Sequence, residues 1–240
     1  MKLSREITSV VNWMLDNLCP PLLRDSRLLM DFIIRFAYAD KAKYILEFKE
    51  QYPFLTDDEI GKYYELIKDV PINKRKTDLN KKSLNYILNN IVGNKIIDVA
   101  CGRGFLIEKI SQNLETRGEF YGVDIIVPSN KNVNIKFLEG NITSLPFRNK
   151  EFDTVICTHA LEHVRDAKKA FEEIMRIARR RVIIVVPCQR EYKYTPDLHI
   201  NFFPYMYRFK EFIGIKDAIY LKLRNDYLCM IDIKDNYKEI

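Results

Sequence analysis

Lys95-Ile-Ile-Asp-Val-Ala-Cys-Gly-Arg-Gly-Phe105 is the stretch that decides the fold. Ile96, Ile97 and Val99 form a short apolar run around Asp98, and the run ends in Ala100-Cys101-Gly102-Arg103-Gly104. Phe105, Leu106 and Ile110 then recur at the spacing of one helix face. Strand, tight glycine turn and helix in that order open a nucleotide-binding α/β sheet. Gly102 and Gly104 let the backbone turn sharply and leave room for a ligand against the main chain. A Gly-x-Gly pair alone would also suit a plain turn, so the segments that follow carry the decision.

Glu119–Asp124 reads as the next strand and closes on an acid, with Ile125 after it. A carboxylate at that position accepts two hydrogen bonds from a vicinal diol such as a ribose. The chain continues through Ile135–Phe147, which holds Asn141, Ile142 and Leu145-Pro-Phe147. Phe152–Thr158 and Arg181–Pro187 are the fourth and fifth strand candidates. On these residues, Lys95 to Pro187 resembles the class I S-adenosylmethionine-dependent methyltransferases, of the type 11-like group. The Asp-x-x-x-Gly-x-Gly loop, the acid closing strand two and the Leu-Pro-Phe … Phe-Asp segment before strand four carry the resemblance.

The resemblance implies an α/β fold: a Rossmann-like, mostly parallel seven-stranded sheet with a C-terminal antiparallel hairpin, preceded by a helical extension. It implies S-adenosylmethionine as cofactor, bound by Asp98, Ala100, Gly102, Gly104, Asp124, Ile125, Asn141, Ile142 and Thr158. Asn141 departs from the more usual Asp, but an amide oxygen can also accept the adenine amine's hydrogen bond. The third glycine of the dinucleotide fingerprint is missing, which favours this cofactor over NAD.

At 240 residues, 47% hydrophobic and 30% charged, the composition predicts a globular domain with an extension. No apolar run approaches the roughly 20 residues that span a bilayer, and the N-terminus lacks an apolar signal core. Five scattered cysteines without a C-x-x-C pair predict reduced thiols in a cytoplasmic protein. A net charge of +6 permits a phosphorylated or nucleic-acid partner without demanding one. Nothing in the sequence sets the oligomeric state.

Residues 1–80 read as a helical cap and 81–240 as the methyltransferase domain. Leu3, Ile7, Val10, Val11, Met14 and Leu18 repeat at helical spacing before Cys19-Pro20-Pro21. Leu22–Tyr38 is a second such stretch and Tyr44–Phe48 a third. Thr56-Asp-Asp-Glu59 is a capping box before Ile60–Val70. By the resemblance, such helices cap the cofactor pocket. The basic run Asn73–Lys82 reads as a solvated linker. Ala167–Ala178 is an amphipathic helix, with Arg179-Arg180-Arg181 read as capping its C-terminus. Beyond Pro187 come an aromatic-rich connection, a short helix over Tyr205–Phe212, and a hairpin of Ala218–Leu223 with Tyr227–Ile233.

All three histidines of the chain fall near one place. His159, Glu162 and His163 stand at i, i+3 and i+4 where strand four is expected to become a helix, so they share a face. His199 follows strand five, the expected neighbour of strand four. An N₃O set of His159, Glu162, His163 and His199 suits an open Mn, Fe or Zn site. The segment also resembles the Glu-x-x-Glu-His motif of metal-dependent small-RNA 2′-O-methyltransferases and ubiquinone-pathway O-methyltransferases, with His159 in place of the first Glu. The plainer alternative makes Leu-Glu-His-Val the ordinary helix start of the superfamily, with Glu162 capping and His163 near substrate. H-x-x-E-H is also an inverted zinc-peptidase signature, but here it lies inside an ordered cofactor-binding framework.

The expected reaction is methyl transfer to a substrate oxygen. A metal would lower the oxygen's pKa; otherwise His163, His199 or His159 would act as base. The expected acceptor is a small hydroxylated or phosphorylated metabolite or a surface-glycan (capsule or lipopolysaccharide) precursor. The alternatives are RNA 2′-O-methylation, metal-free N- or O-methylation of a small molecule, and a scaffold without catalysis.

Overall fold

The computed structural model describes residues 13–14, 18–68, 70, 76–114, 118–127, 132–194 and 197–234. The repeat expected over Leu3–Leu18 lies largely outside these residues, as do Asn73, Lys74 and Arg75 of the basic run. The chain forms two units: Met1–Arg75 with Gln189–Phe202, and Lys76–Cys188 with Phe203–Ile240.

The first unit is helical. It contains α1 (Pro21–Arg24), α2 (Arg27–Tyr38), α3 (Ala42–Gln51) and α4 (Asp57–Lys68). Met30, Ile34 and Tyr38 recur every four residues along α2 and meet Ile45, Phe48 and Ile67 in a core that also takes Tyr194 and Leu198. The aromatic connection after Pro187 is therefore part of this unit's core; the Tyr64 hydroxyl donates to the Leu198 carbonyl at 3.0 Å. The capping box of α4 forms. Glu59 Oε2 accepts from the Thr56 nitrogen at 2.8 Å and from its hydroxyl at 2.9 Å, while the Glu59 nitrogen donates back at 3.3 Å.

The second unit is built on a seven-stranded sheet in the order β3-β2-β1-β4-β5-β7-β6. The strands are β1 (Lys95–Val99), β2 (Glu119–Asp124), β3 (Ile135–Glu139), β4 (Phe152–Thr158), β5 (Ala178–Pro187), β6 (Ile219–Leu223) and β7 (Asp226–Asp232). The first five run parallel; β7 is antiparallel to both β5 and β6. This is the Rossmann-like sheet and hairpin expected from the sequence.

Helices cover both faces, so the central strands read as unbroken apolar runs. On one face Ile97, Val155, Ile184 and Cys229 pack with Phe171 and Ile174 of α7 (Ala167–Ile177) and Phe209 of α8 (Met206–Ile213). On the other, Ile96, Ile156, Ile183 and Leu228 pack with Ile87 of α5 (Lys81–Leu88) and Leu106 and Ile110 of α6 (Phe105–Asn113).

Arg179, Arg180 and Arg181 do not cap α7. The backbone turns extended at Ala178, and all three lie in β5. Arg179 pairs with the buried Asp153, and Arg181 pairs with Asp232 of β7 at 2.7 Å. Cross-strand acids thus hold cations that the sequence alone assigns to a helix dipole. No helix among the described residues is long and apolar enough to cross a membrane. The cysteines are all free, and burial holds the Cys101, Cys157 and Cys229 thiols well above their usual pKa.

Asp153 also accepts from the backbone nitrogens of Asn94 and Lys95, at 2.9 and 3.1 Å. Gly93 makes room for it. Gly93 has φ +75°, and a methyl group there would stand 2.3 Å from the Asp153 side chain. Gly93→Ala should therefore lower unfolding free energy by about 3 kcal/mol or more, from left-handed backbone strain plus overpacking. Urea denaturation checks this; a loss under about 1 kcal/mol would mean that the contact is not rigid.

Candidate functional site

In an open α/β sheet the ligand crevice lies beyond the carboxyl ends of the strands, where the strand order reverses. Here that place is between β1 and β4. Both strands are followed by a non-glycine residue with left-handed backbone: Ala100 at φ 56° and His159 at φ 52°. Such conformations cost about 1–2 kcal/mol each and gather where geometry is held for function.

After β1 the chain turns through Gly102 (φ 53°) and Gly104 (φ 76°), and Gly104 starts α6. Among the described residues nothing lies within 4 Å of where a Gly102 side chain would stand, so that side of the loop is open. Asp98 is buried at 2% exposure, and its Oδ1 has no hydrogen-bond partner among the described residues. Burial, with the Asp124 carboxylate adding to it, raises the Asp98 pKa well above the usual carboxylate range. An orphaned buried oxygen beside an open glycine loop fits a ligand that brings its own donor.

Asp124 closes β2 with its carboxylate pre-aimed. Oδ2 accepts from the Gly102 nitrogen at 2.8 Å and Oδ1 from the Ile126 nitrogen at 3.2 Å. Burial raises its pKa, and the backbone donors of Gly102, Ile126 and Ile125 oppose that shift. Each oxygen keeps a lone pair for a diol. Ile125 is exposed beside it, and Thr158 is half-buried at the end of β4. Ile142 is buried in the sheet core. The Asn141 oxygen already accepts from the Thr143 nitrogen and hydroxyl, at 2.9 and 2.8 Å. Its role as acceptor for an adenine amine therefore has to compete with this local turn.

The helix face expected to carry His159, Glu162 and His163 does not form. Leu161–His163 is one 3-10 turn, and α7 starts only at Ala167, where Asp166 caps the Lys169 nitrogen. The His159 nitrogen still belongs to the sheet and donates to the Val185 carbonyl at 2.9 Å. Its ring lies between two carboxylates: Nδ1 is 3.4 Å from Glu162 Oε1, and Nε2 is 3.5 Å from Asp226 Oδ1. Burial alone would lower its pKa, but the charges of Asp226 and Glu162 outweigh burial and raise it to about 10. As an imidazolium His159 has no lone pair for a metal and takes up no proton at neutral pH. The ligand and base roles expected of it do not fit this geometry.

Asp226 and Asn80 lack any motif, and the sequence reading left both unused. The Asn80 side chain caps α5 and donates to Asp226 Oδ2 at 2.6 Å, while the Ser83 hydroxyl donates to the same oxygen at 2.7 Å. Glu162 has 0% exposure, and neither of its oxygens has a hydrogen-bond donor among the described residues. His163, next to it, is half-buried. His199 belongs to the first unit, where its Nδ1 is 2.6 Å from the Gln189 oxygen. That oxygen can only accept, so Nδ1 carries a proton.

Residues 97–186 match the family described as methyltransferase domain. This segment carries a methyltransferase domain, and its sheet order and glycine loop are those expected of a class I, S-adenosylmethionine-dependent methyltransferase. The chain is 25% identical over 124 residues to a demethylmenaquinone methyltransferase of Renibacterium salmoninarum, covering 51% of this chain and 52% of that protein. It is 26% identical over 96 residues to a 2-phytyl-1,4-naphtoquinone methyltransferase of Trichormus variabilis, covering 35% and 42%. A crystal structure of a SAM-dependent methyltransferase from Aquifex aeolicus is also similar. It is 13% identical with a TM-score of 0.49, over 75% of this chain and all of that one. The chain spans about half the length of the curated relatives it matches.

Two outcomes follow from the geometry. Gly102→Ala should cost only about 1–2 kcal/mol of stability, since the space is open, yet weaken S-adenosylmethionine binding at least about tenfold by standing where the ligand lies. Calorimetric titration of the folded variant decides it, and unchanged affinity would place the ligand elsewhere. His159, raised from 6.5 to about 10, stabilises the fold fully below pH 6.5 and loses that contribution as pH rises through about 10. In ring ¹⁵N NMR its signals should remain those of an imidazolium at pH 8; titration near 6.5 would contradict the carboxylate clamp.

Proposed function

We propose that this protein is an S-adenosylmethionine-dependent methyltransferase whose acceptor is a small, lipophilic aromatic molecule of the naphthoquinone kind. One observation carries the donor half: the buried, unpartnered Asp98 oxygen beside the open face of Gly102, with Asp124 aimed by two backbone nitrogens. The acceptor half is supported by relatives named for demethylmenaquinone and 2-phytyl-1,4-naphtoquinone. None of the relatives above is named for a glycan or an RNA, so those acceptors gain no support.

When bound, the cofactor supplies a methyl group already activated as a sulfonium. The residues of this chain then have to position and deprotonate. Asp124 offers its lone pairs to the vicinal hydroxyls, and Asp98 meets a ligand donor. The glycine loop leaves the backbone close to the ligand. His163, half-buried beside Glu162, is the second unit's candidate base; its imidazole takes a hydroxyl proton of the acceptor in its reduced, quinol form as the electron-rich ring accepts the methyl group. Glu162 would accept a hydrogen bond from the imidazole or from the acceptor.

The buried Glu162 carboxylate also favours a second reading. Of the two acids that flank the His159 ring, Asp226 and Glu162, Glu162 is the one without a hydrogen-bond donor among the described residues. A divalent cation held by Glu162 and His163 would neutralise it and would lower the pKa of a hydroxylated acceptor. That is the metal-assisted O-methylation expected from the sequence.

Transfer of a labelled methyl group to demethylmenaquinone kept in its reduced, quinol form by dithionite, by wild type and His163→Ala, tests the primary reading. Wild type should label the quinone, and the variant should lose about 10²–10⁴-fold in rate with cofactor binding intact. Binding of the cofactor without labelling of the quinone would overturn the acceptor. Metal analysis separates the readings: near-stoichiometric Mn, Fe or Zn that disappears in Glu162→Gln would establish the metal, and metal-free active protein would exclude it.

A further inference from the structure

Helix α2 is apolar on two opposite sides. Met30, Ile34 and Tyr38 face the first unit's core. Around the other side, Leu28, Phe32 and Phe36 follow at the same four-residue spacing and are 88%, 72% and 84% exposed. Leu29 and Ile33 stand beside them at 39% and 42%, and Leu22 of α1 adds a further side chain at 85%. A surface helix normally turns charged residues outward, and one that is apolar all round belongs in a core or against lipid. Six large apolar side chains on and just before one 12-residue helix exceed what singly scattered surface residues explain.

The charges on α2 select among occupants. Arg27 and Arg35 are exposed, and the one acid of the helix, Asp31, is taken by Arg35 at 2.6 Å. The exposed side therefore presents hydrocarbon beside a stripe of Arg27, Asp31 and Arg35 that keeps one net positive charge, within a chain of net charge +6. Apolar side chains beside guanidinium groups suit the interface of a bilayer containing anionic lipid. The acceptor proposed above points the same way, because a phytyl substituent is a long hydrocarbon chain and hydrocarbon partitions from water into lipid.

We infer that Leu22, Leu28, Leu29, Phe32, Ile33 and Phe36 form a docking face for an anionic lipid bilayer surface, which the protein touches without spanning. Phe32 and Phe36 enter the acyl boundary, while Arg27 lies among headgroup phosphates. The choice of lipid over a protein partner rests in part on the naphthoquinone reading.

The test sediments the full chain with vesicles of phosphatidylcholine alone or of equal parts phosphatidylcholine and phosphatidylglycerol, with no methyl acceptor present. Wild type should pellet with the mixed vesicles and less with the neutral ones. Phe32→Asp with Phe36→Asp should weaken partition at least about tenfold, with an unchanged melting temperature because both positions are exposed. If that pair melts early, Leu28→Gln, which keeps helix propensity, should shift partition in the same direction. Protein that stays in the supernatant with both vesicles overturns the proposal. So does a lipid-free dimer that the double variant splits into monomers, since the face would then belong to a second copy. Vesicle binding without quinone methylation refutes only the acceptor, and methylation without vesicle binding refutes only the docking face.

Discussion

Three parts of the second unit meet on the carboxylate of Asp226, which is 2% exposed. It opens β7, receives Asn80 and Ser83 from the start of α5, and faces the His159 ring that follows β4. A buried carboxylate stays ionised only when donors and a counter-charge surround it. Here two neutral donors and an imidazolium do so. Removing one member would leave a buried charge exposed to its own desolvation cost, on the order of 3–5 kcal/mol. The loop carrying Glu162 and His163 contains a single 3-10 turn. Much of its fixed shape therefore comes from this clamp, together with the backbone bond from His159 to Val185.

The clamp is not electrically closed. Asp226 is satisfied, whereas Glu162 has only the edge of the same imidazolium and no hydrogen-bond donor among the described residues. Asp98, at the end of the neighbouring strand β1, is similarly orphaned at one oxygen. Folded chains rarely leave buried carboxylates in this condition. Two of them at the carboxyl ends of adjacent strands, each strand followed by a left-handed residue, mark a surface prepared for ligands. The stability forgone at Asp98, Glu162, Ala100 and His159 is recovered elsewhere, in a sheet whose two faces are covered by apolar side chains.

The sheet could be read from the sequence because buried parallel strands are short apolar runs with a distinct opening turn, and β1, β4 and β5 are such runs. Asp124 and the glycine loop could be read because their chemistry depends on backbone close to them in sequence. The histidine face could not. Helical spacing predicts a shared face only where a helix forms, and the β4–β5 ladder keeps His159 in the sheet. Asp226 was hidden in Arg224-Asn-Asp226, which reads as an ordinary hairpin turn, and its partners lie 143 to 146 residues away. The arginines after α7 were misassigned for the same reason: Asp153 and Asp232, which hold them, are remote in sequence. The exposed apolar side of α2 could not be told from its core side, since periodicity locates apolar stripes without saying which of them is covered.

The most direct measurement is a crystal structure of the protein soaked with S-adenosylmethionine. The account predicts the adenosyl ribose within hydrogen-bond distance of Asp124, the ligand backbone-close at Gly102, a donor on Asp98 Oδ1, and the methyl group on the side of the crevice that carries Glu162 and His163. Cofactor bound away from the glycine loop, or crystals that take up none at saturating concentration, would contradict it.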